Sequence, residues 1–356
     1  MRRPEAEELA ESDAFPDAPH PRRARALVGH KTAEAEMLSA YRGGRLAHAW
    51  LIGGMQGIGK ATLAWRFARF VLANPAPSVK AVRAATDLRV DPNNPAARLL
   101  DALAHPDFAL IRREWKANPK RLATEIAVDD VREALETFHL TAAFGGWRVA
   151  IVDCAEDLNA NSANALLKTI EEPPTRSLIF IVSHRPGQVM ATIRSRCRPL
   201  RLDPLSESEV VNAVTSLGPP WSEADPTAII GAAKRAGGSV REALTRLAPE
   251  SREVGALIDS SVAGLPQPDP RAVAKLAEAL GGRAANEAFQ ALHRGLYDWL
   301  AAHASRLASD AGRAEEMAGL WDRIRAAQRE TETLNLDRKL HVLAVFAEIA
   351  AIARWG

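Results

Sequence analysis

"GGMQGIGKAT", residues 53–62, is the stretch on which the reading of this chain turns. Gly54, four intervening residues, Gly59 and Lys60 reproduce the spacing of a phosphate-binding loop. In such a loop backbone N–H groups face phosphate and the lysine reaches the β- and γ-phosphates. Gly57 adds a further residue free of a side chain. An apolar run, Ala49–Ile52, precedes the loop, and a periodic stretch, Ala61–Leu72, follows it. A Gly-rich turn with a surface lysine meets the same spacing, but the strand-to-helix context favours phosphate. The motif then departs from its pattern. Ala61 stands where a Ser or Thr hydroxyl would hold Mg²⁺. Thr62 lies about 100° further round the helix, so its hydroxyl is expected to point elsewhere.

Working outward, apolar strand candidates recur at Phe108–Ile111, Arg148–Val152 and Leu178–Val182, with helical patterns at Asp129–Phe138 and Ser162–Glu171. Alternating strands and helices imply a parallel sheet covered by helices. In the last of these helices Ala163, Leu166, Leu167 and Ile170 form one apolar stripe, and Pro173 and Pro174 end it. After Leu205 the strand signal fades. Ser206 with Glu209 reads as a capping box, and "EADPTAIIGAAKRAGG" and "SVREALTRLA" read as two further helices. A Pro-rich stretch, "AGLPQPDP" (263–270), reads as a linker before more helices. The expected domains are therefore a disordered tail (1–20), an α/β domain (21–205), a helical lid (206–262) and an all-α C-terminal domain (263–356).

Composition limits the function classes. A formal charge of +2 is too small for nucleic-acid binding by bulk electrostatics. Two cysteines, Cys154 and Cys197, allow neither a disulfide framework nor a four-cysteine zinc site within the chain. The N-terminus has no apolar core of a secretory signal, and the longest apolar stretch is too short to span a bilayer. A cytoplasmic protein is expected.

Two further segments carry candidate chemistry. "WRVAIVDCAEDL" is an apolar strand ending in Asp153, which suits the Mg²⁺-side carboxylate of a nucleotide site. An aspartate that merely ends a strand in solvent would look the same. Cys154 follows, where a carboxylate would polarise the attacking water, and a thiol cannot replace it. "IRSRCRPL" brings Arg194, Arg196 and Arg198 together. If this segment were extended, the three would share one face. Guanidinium groups stabilise a transferring phosphoryl group, also from a neighbouring subunit. On spacing alone a solvated basic run is the better reading.

Taken together these segments resemble the clamp-loader branch of the AAA+ ATPases. The resemblance rests on "LVGH" (27–30), the loop itself, "HPDF" (105–108), "NALLKTIEEPP" (164–174), "IRSRC" (193–197) and "GGSVREAL" (237–244). It implies an α/β P-loop (AAA+) domain with a parallel sheet, a small helical lid and an all-α C-terminal collar. It places Ser183 and His184 in the sensor 1 region and Arg241 at the sensor 2 arginine. Within the branch, Ala61 and Cys154 together with an intact Ser195–Arg196–Cys197 resemble the delta-prime type of DNA polymerase III subunit, which has lost catalysis. That resemblance implies that Arg196 acts in trans as an arginine finger. The implied partners are motor (gamma/tau) and delta subunits in a hetero-pentamer, and through them a sliding clamp and primed DNA. The degenerate site comprises Gly54, Gly57, Gly59, Lys60, Thr62 and Asp153. It is expected to require no cofactor and to bind ATP or ADP at most weakly, without hydrolysis. Residues 73–104 lack cysteine, so no zinc is expected. The alternative is an ATP-hydrolysing motor of the same loader. An unrelated P-loop enzyme such as a kinase leaves the Ser-Arg-Cys segment unexplained.

Overall fold

The computed structural model describes residues 11, 14–15, 17–117, 120–281, 286–306, 311–334 and 336–353. Most of the expected tail, residues 1–10, 12, 13 and 16, lies outside them. The chain divides into two compact units, Met1–Leu244 and Thr245–Gly356. Among the described residues no helix is long and apolar enough to cross a membrane.

In the first unit the strands are β1 (Ala49–Gly53), β2 (Phe108–Arg112), β3 (Trp115–Ala117), β4 (Lys120–Leu122), β5 (Arg148–Asp153), β6 (Ser177–Ser183) and β7 (Arg198–Arg201). β3 and β4 form a separate antiparallel pair. The others form one parallel sheet in the order β2-β5-β6-β1-β7. Alternate side chains go to opposite faces. Trp50, Ile52, Ile151, Phe180 and Val182 meet Leu63 and Phe67 of the helix Lys60–Ala73 on one side. Leu51, Ala150, Val152, Ile179 and Ile181 meet Leu135, Leu166 and Ile170 on the other. Both faces are covered, so the central strands read as continuous apolar runs rather than alternating ones. This is the α/β arrangement, a parallel sheet covered by helices, that the sequence implied.

The helix expected at Ser162–Glu171 begins earlier, at Ala160, because Asn159 caps it by accepting from the N–H groups of Asn161 and Ser162. The arginines of "IRSRCRPL" do not share a face. Ala191–Arg194 is helical and Ser195 keeps helical backbone angles, so the chain becomes extended only at Arg198. Arg194 bonds Gly187 O, Arg196 pairs with Glu171, and Arg198 pairs with Glu36 while lying over Trp50.

The described residues of the first twenty are tied to the unit by long-range contacts. Glu11 pairs with His20 (2.8 Å) and with Arg112 (3.0 Å), and His20 is buried. Just beyond, Arg66 and Arg69, both buried on the helix Lys60–Ala73, donate to the carbonyls of Arg25 and Arg22. None of this leaves a periodic signal in sequence.

The lid begins with the helix Glu207–Ser216. Its capping box is present: Ser206 N–H donates to Glu209 Oε2 (2.9 Å) and Glu209 N–H to Ser206 Oγ (3.3 Å). Asp225 caps Pro226–Arg235, and Gly238, with φ of 84°, turns the chain into Val240–Leu247. There the lid ends. The helix Pro249–Ala263, assigned to the lid from sequence, packs in the second unit, where its Ile258 shares a core with Leu276, Phe289, Leu292 and Leu296. The Pro-rich stretch is a turn within that unit rather than a linker, since Leu265 is buried in the same core.

The second unit holds the helices Pro249–Ala263, Pro270–Leu280, Asn286–Arg306, Ala311–Thr333 and Arg338–Ala353. A buried chain of polar side chains crosses its core. His293 Nδ1 meets Phe289 O (2.8 Å), and His293 Nε2 meets His341 Nε2 (2.9 Å). His341 Nδ1 meets Thr331 Oγ1 (3.0 Å), which also reaches Ala327 O (2.8 Å). Burial lowers both imidazoles to about 4. Unfolded, each would bind its proton at the ordinary value of 6.5. Between those values the unfolded chain therefore holds more protons, and stability falls as pH falls through the window. We expect the urea midpoint of this unit to drop from pH 7 to pH 5, and the drop to vanish in a His293→Gln/His341→Gln double variant. A wild-type midpoint that does not move would remove the pair from the pH response.

Candidate functional site

The register of the sheet assembles the site. β1 pairs with β6 so that Gly53 lies beside Ser183, and β5 pairs with β6 so that Asp153 lies beside Val182. The loop after β1, the end of β5 and the end of β6 thus meet at the carboxyl edge of the sheet, where ligands bind in open α/β folds. A cavity of about 790 Å³ opens there.

The loop turns into its helix at Gly59, whose φ of 104° is closed to residues with a side chain. Gly57, at φ 77°, passes so near the lid that a Cβ would stand 2.4 Å from Arg241 Cβ and from Ser239 Oγ. Lys60 is 3% exposed, and its Nζ donates to the carbonyls of Gly54 (2.7 Å) and Met55. Burial lowers its pKa to about 8, against the pull of the Asp153 and Glu156 carboxylates. It therefore remains largely an ammonium at pH 7.

Gly57, Gly59, Lys60, Thr62, Asp153, His184 and Arg241 all line the cavity. Thr62, expected to face away, borders it together with Ala61. Gly54 contributes its carbonyl to Lys60. Ser183 is fully buried and donates to Glu156 Oε1 (2.6 Å). Burial lowers His184 to about 4, helped by the charge of Lys60, so its ring is neutral at pH 7. Burial also pushes the Cys154 thiol up, and the nearby carboxylates push it further. It stays a thiol and offers neither a base nor a nucleophile.

Two carboxylates just past Asp153, Glu156 and Asp157, each have a defined partner. Glu156 Oε1 accepts from Ser183 Oγ and from the Arg185 N–H (2.6 Å). Burial works against its charge, but these hydrogen bonds outweigh it and hold the carboxyl below its ordinary range. Asp157 pairs with Arg113 at 2.9 Å. Burial raises the Asp157 carboxyl, with Arg113 opposing. Both Glu156 and Arg113 border the cavity, and neither was singled out from sequence. A carboxylate just past Asp153 was a usable signal for Glu156; Arg113 gave none.

Arg196 is not among the residues around this cavity. It lies on the outer surface with its side chain 42% exposed, its NH2 on Glu171 Oε1 (2.8 Å) and its NH1 on Thr192 O (3.1 Å).

A family model described as "DNA polymerase III, delta subunit" matches residues 29–206, half of the chain. A DNA polymerase III subunit delta' of Pseudomonas aeruginosa is 38% identical over 158 residues, 44% of this chain and 43% of that protein. The Escherichia coli subunit delta' is 32% identical over 176 residues, 49% and 48% of the two chains. A subunit gamma of Buchnera aphidicola is 27% identical over 222 residues, 62% and 56%. The chain thus spans about half the length of the curated relatives it matches. The matched segment runs from the phosphate-binding loop through Asp153 and Ser183 to the Ser-Arg-Cys motif, and on that ground the chain belongs to the DNA polymerase III delta-subunit family, with delta-prime subunits among its relatives.

Proposed function

We propose that this chain is a delta-prime-type subunit of the DNA polymerase III clamp loader. It completes the loader ring beside motor (gamma/tau) and delta subunits in a hetero-pentamer, in the cytoplasm. It offers Arg196 to the ATP of the adjacent motor, so that the assembly loads a sliding clamp on primed DNA.

One observation carries this reading: the groups needed for hydrolysis are missing inside the chain's own cavity, while an arginine stands outside it. Inside, Ala61 has no oxygen for Mg²⁺ and Cys154 has no charge to polarise water. Outside, the Arg196 guanidinium is half-exposed and held by an exposed carboxylate, Glu171. An exposed ion pair is worth at most about 1 kcal/mol, so a phosphate on another chain can displace it. A guanidinium brought to a transferring phosphoryl group stabilises the charge spread over its oxygens.

The alternative, an ATP-hydrolysing motor of the same loader, has one observation in its favour: Thr62 and Glu156 border the cavity. That reading would need Thr62 to hold Mg²⁺ and Glu156 to polarise water. One Glu156 oxygen, Oε1, is already engaged by Ser183 and the Arg185 N–H, which ties the carboxylate to the end of the strand Ser177–Ser183.

The isolated chain is expected to hydrolyse no ATP above background. Mg²⁺-dependent turnover that disappears in Lys60→Ala would favour the motor reading instead. In the reconstituted loader, Arg196→Ala should slow hydrolysis at one site by on the order of 10³-fold. Total DNA-stimulated ATPase then falls partially while the complex still assembles, and an unchanged rate would exclude the finger. Weak ATP binding by the loop would depend on the Lys60 charge. Since that charge is lost as pH rises past about 8, a fluorescent ATP analogue should bind less tightly at pH 9.5 than at pH 7. Equal affinities would show that Lys60 does not contact the nucleotide.

A further inference from the structure

The lid sits directly on the phosphate-binding loop. Ser239 Oγ donates to Gln56 O (2.9 Å) and Val240 N–H to Gly57 O (2.9 Å). Two hydrogen bonds between a loop and a helix start are a small holding force. The described residues between 11 and 25 add to it in a particular way. Their two ends are fixed to the sheet layer: Glu11 on Arg112 at the end of β2, and the carbonyls of Arg22 and Arg25 on the buried Arg69 and Arg66. Their middle is fixed to the lid. Phe15 packs edge-on against Trp221 (centroids 5.8 Å apart) and lies under the Arg241 guanidinium (5.4 Å). Arg241 NH1 donates to Ala14 O (3.3 Å), and Trp221 Nε1 donates to Asp17 O (2.7 Å). Trp221 is 4% exposed and Asp17 is exposed, so that last bond is half-buried. Asp17 takes a left-handed backbone, φ 56°, which aspartate tolerates better than most residues.

We propose that Ala14, Phe15 and Asp17 form a strap, an intramolecular peptide ligand whose aromatic side chain fills a socket made by Trp221 and Arg241 and holds the lid on the loop. The socket suits that chemistry. Arg241 offers a flat cation to an aromatic face and an N–H to a backbone carbonyl, and the indole offers a second N–H to another carbonyl. Phe15 also borders the cavity beside Gly57 and Lys60. The strap thus joins lid to sheet layer without any nucleotide, and it engages Arg241, a residue that also lines the cavity. This makes lid closure a property of the chain itself, and it stands whether or not the chain works in a loader.

Hydrogen exchange of the full chain without nucleotide tests the strap. Phe15→Ala should speed exchange in the lid helices Pro226–Arg235 and Val240–Leu247 by about tenfold, and Trp221→Phe, which keeps the ring and removes the donor, by about fivefold. Exchange in the helix Asn286–Arg306 of the second unit should stay at the wild-type rate in both. Wild-type exchange of the lid in both variants would overturn the proposal. If Phe15→Ala unfolds the unit, the Trp221→Phe result alone decides: a faster lid supports the strap, and an unchanged lid rejects it. Because these measurements use the isolated chain, their outcome is separate from that of Arg196→Ala in the assembled loader.

Discussion

Burying the Lys60 ammonium is the constraint around which this site is arranged. A charge that is 3% exposed must be surrounded by oxygen, and the carbonyls of Gly54 and Met55 supply it. The loop has to curl back over the side chain for those carbonyls to reach, which requires glycine at positive φ. The curled loop in turn sets where the lid can rest. Its outer carbonyls, Gln56 O and Gly57 O, accept from Ser239 and Val240. Ala61 brings no oxygen to this scaffold, and none of the contacts that hold it needs one.

What sequence made legible was local. Apolar runs gave the central strands, since a strand covered on both faces needs apolar side chains at every position. The Ser206 capping box was readable because both partners lie within one turn. The candidate site was legible to the same extent: the loop, Asp153, His184 and Arg241 each sit at the end of a recognisable element, and the parallel register brings those ends together. The lid boundary was misplaced because helical periodicity does not say which neighbour a helix packs on. Pro249–Ala263 has the same pattern whether it joins the lid or the second unit.

What sequence hid was distant or geometric. Phe15 and Trp221 have no common pattern, nor have Arg66 and the Arg25 carbonyl. The row of arginines in "IRSRCRPL" misled for a different reason. Period-two reasoning assumes an extended chain, and a short helix ending at Arg194 sends each guanidinium to a separate partner. That separation leaves Arg196 isolated at the surface with one weak carboxylate partner, whereas three parallel guanidinium groups would have made a general anion site.

The histidine chain of the second unit holds fewer protons than contacts. Phe289 O can only accept, so His293 carries its proton on Nδ1 and presents a bare Nε2. At the other end the Thr331 hydroxyl gives its one proton to Ala327 O. The single proton of the neutral His341 ring then serves either His293 Nε2 or Thr331 Oγ1, and not both. Three protons are shared among four contacts, so His341 takes either tautomer at the cost of one buried hydrogen bond.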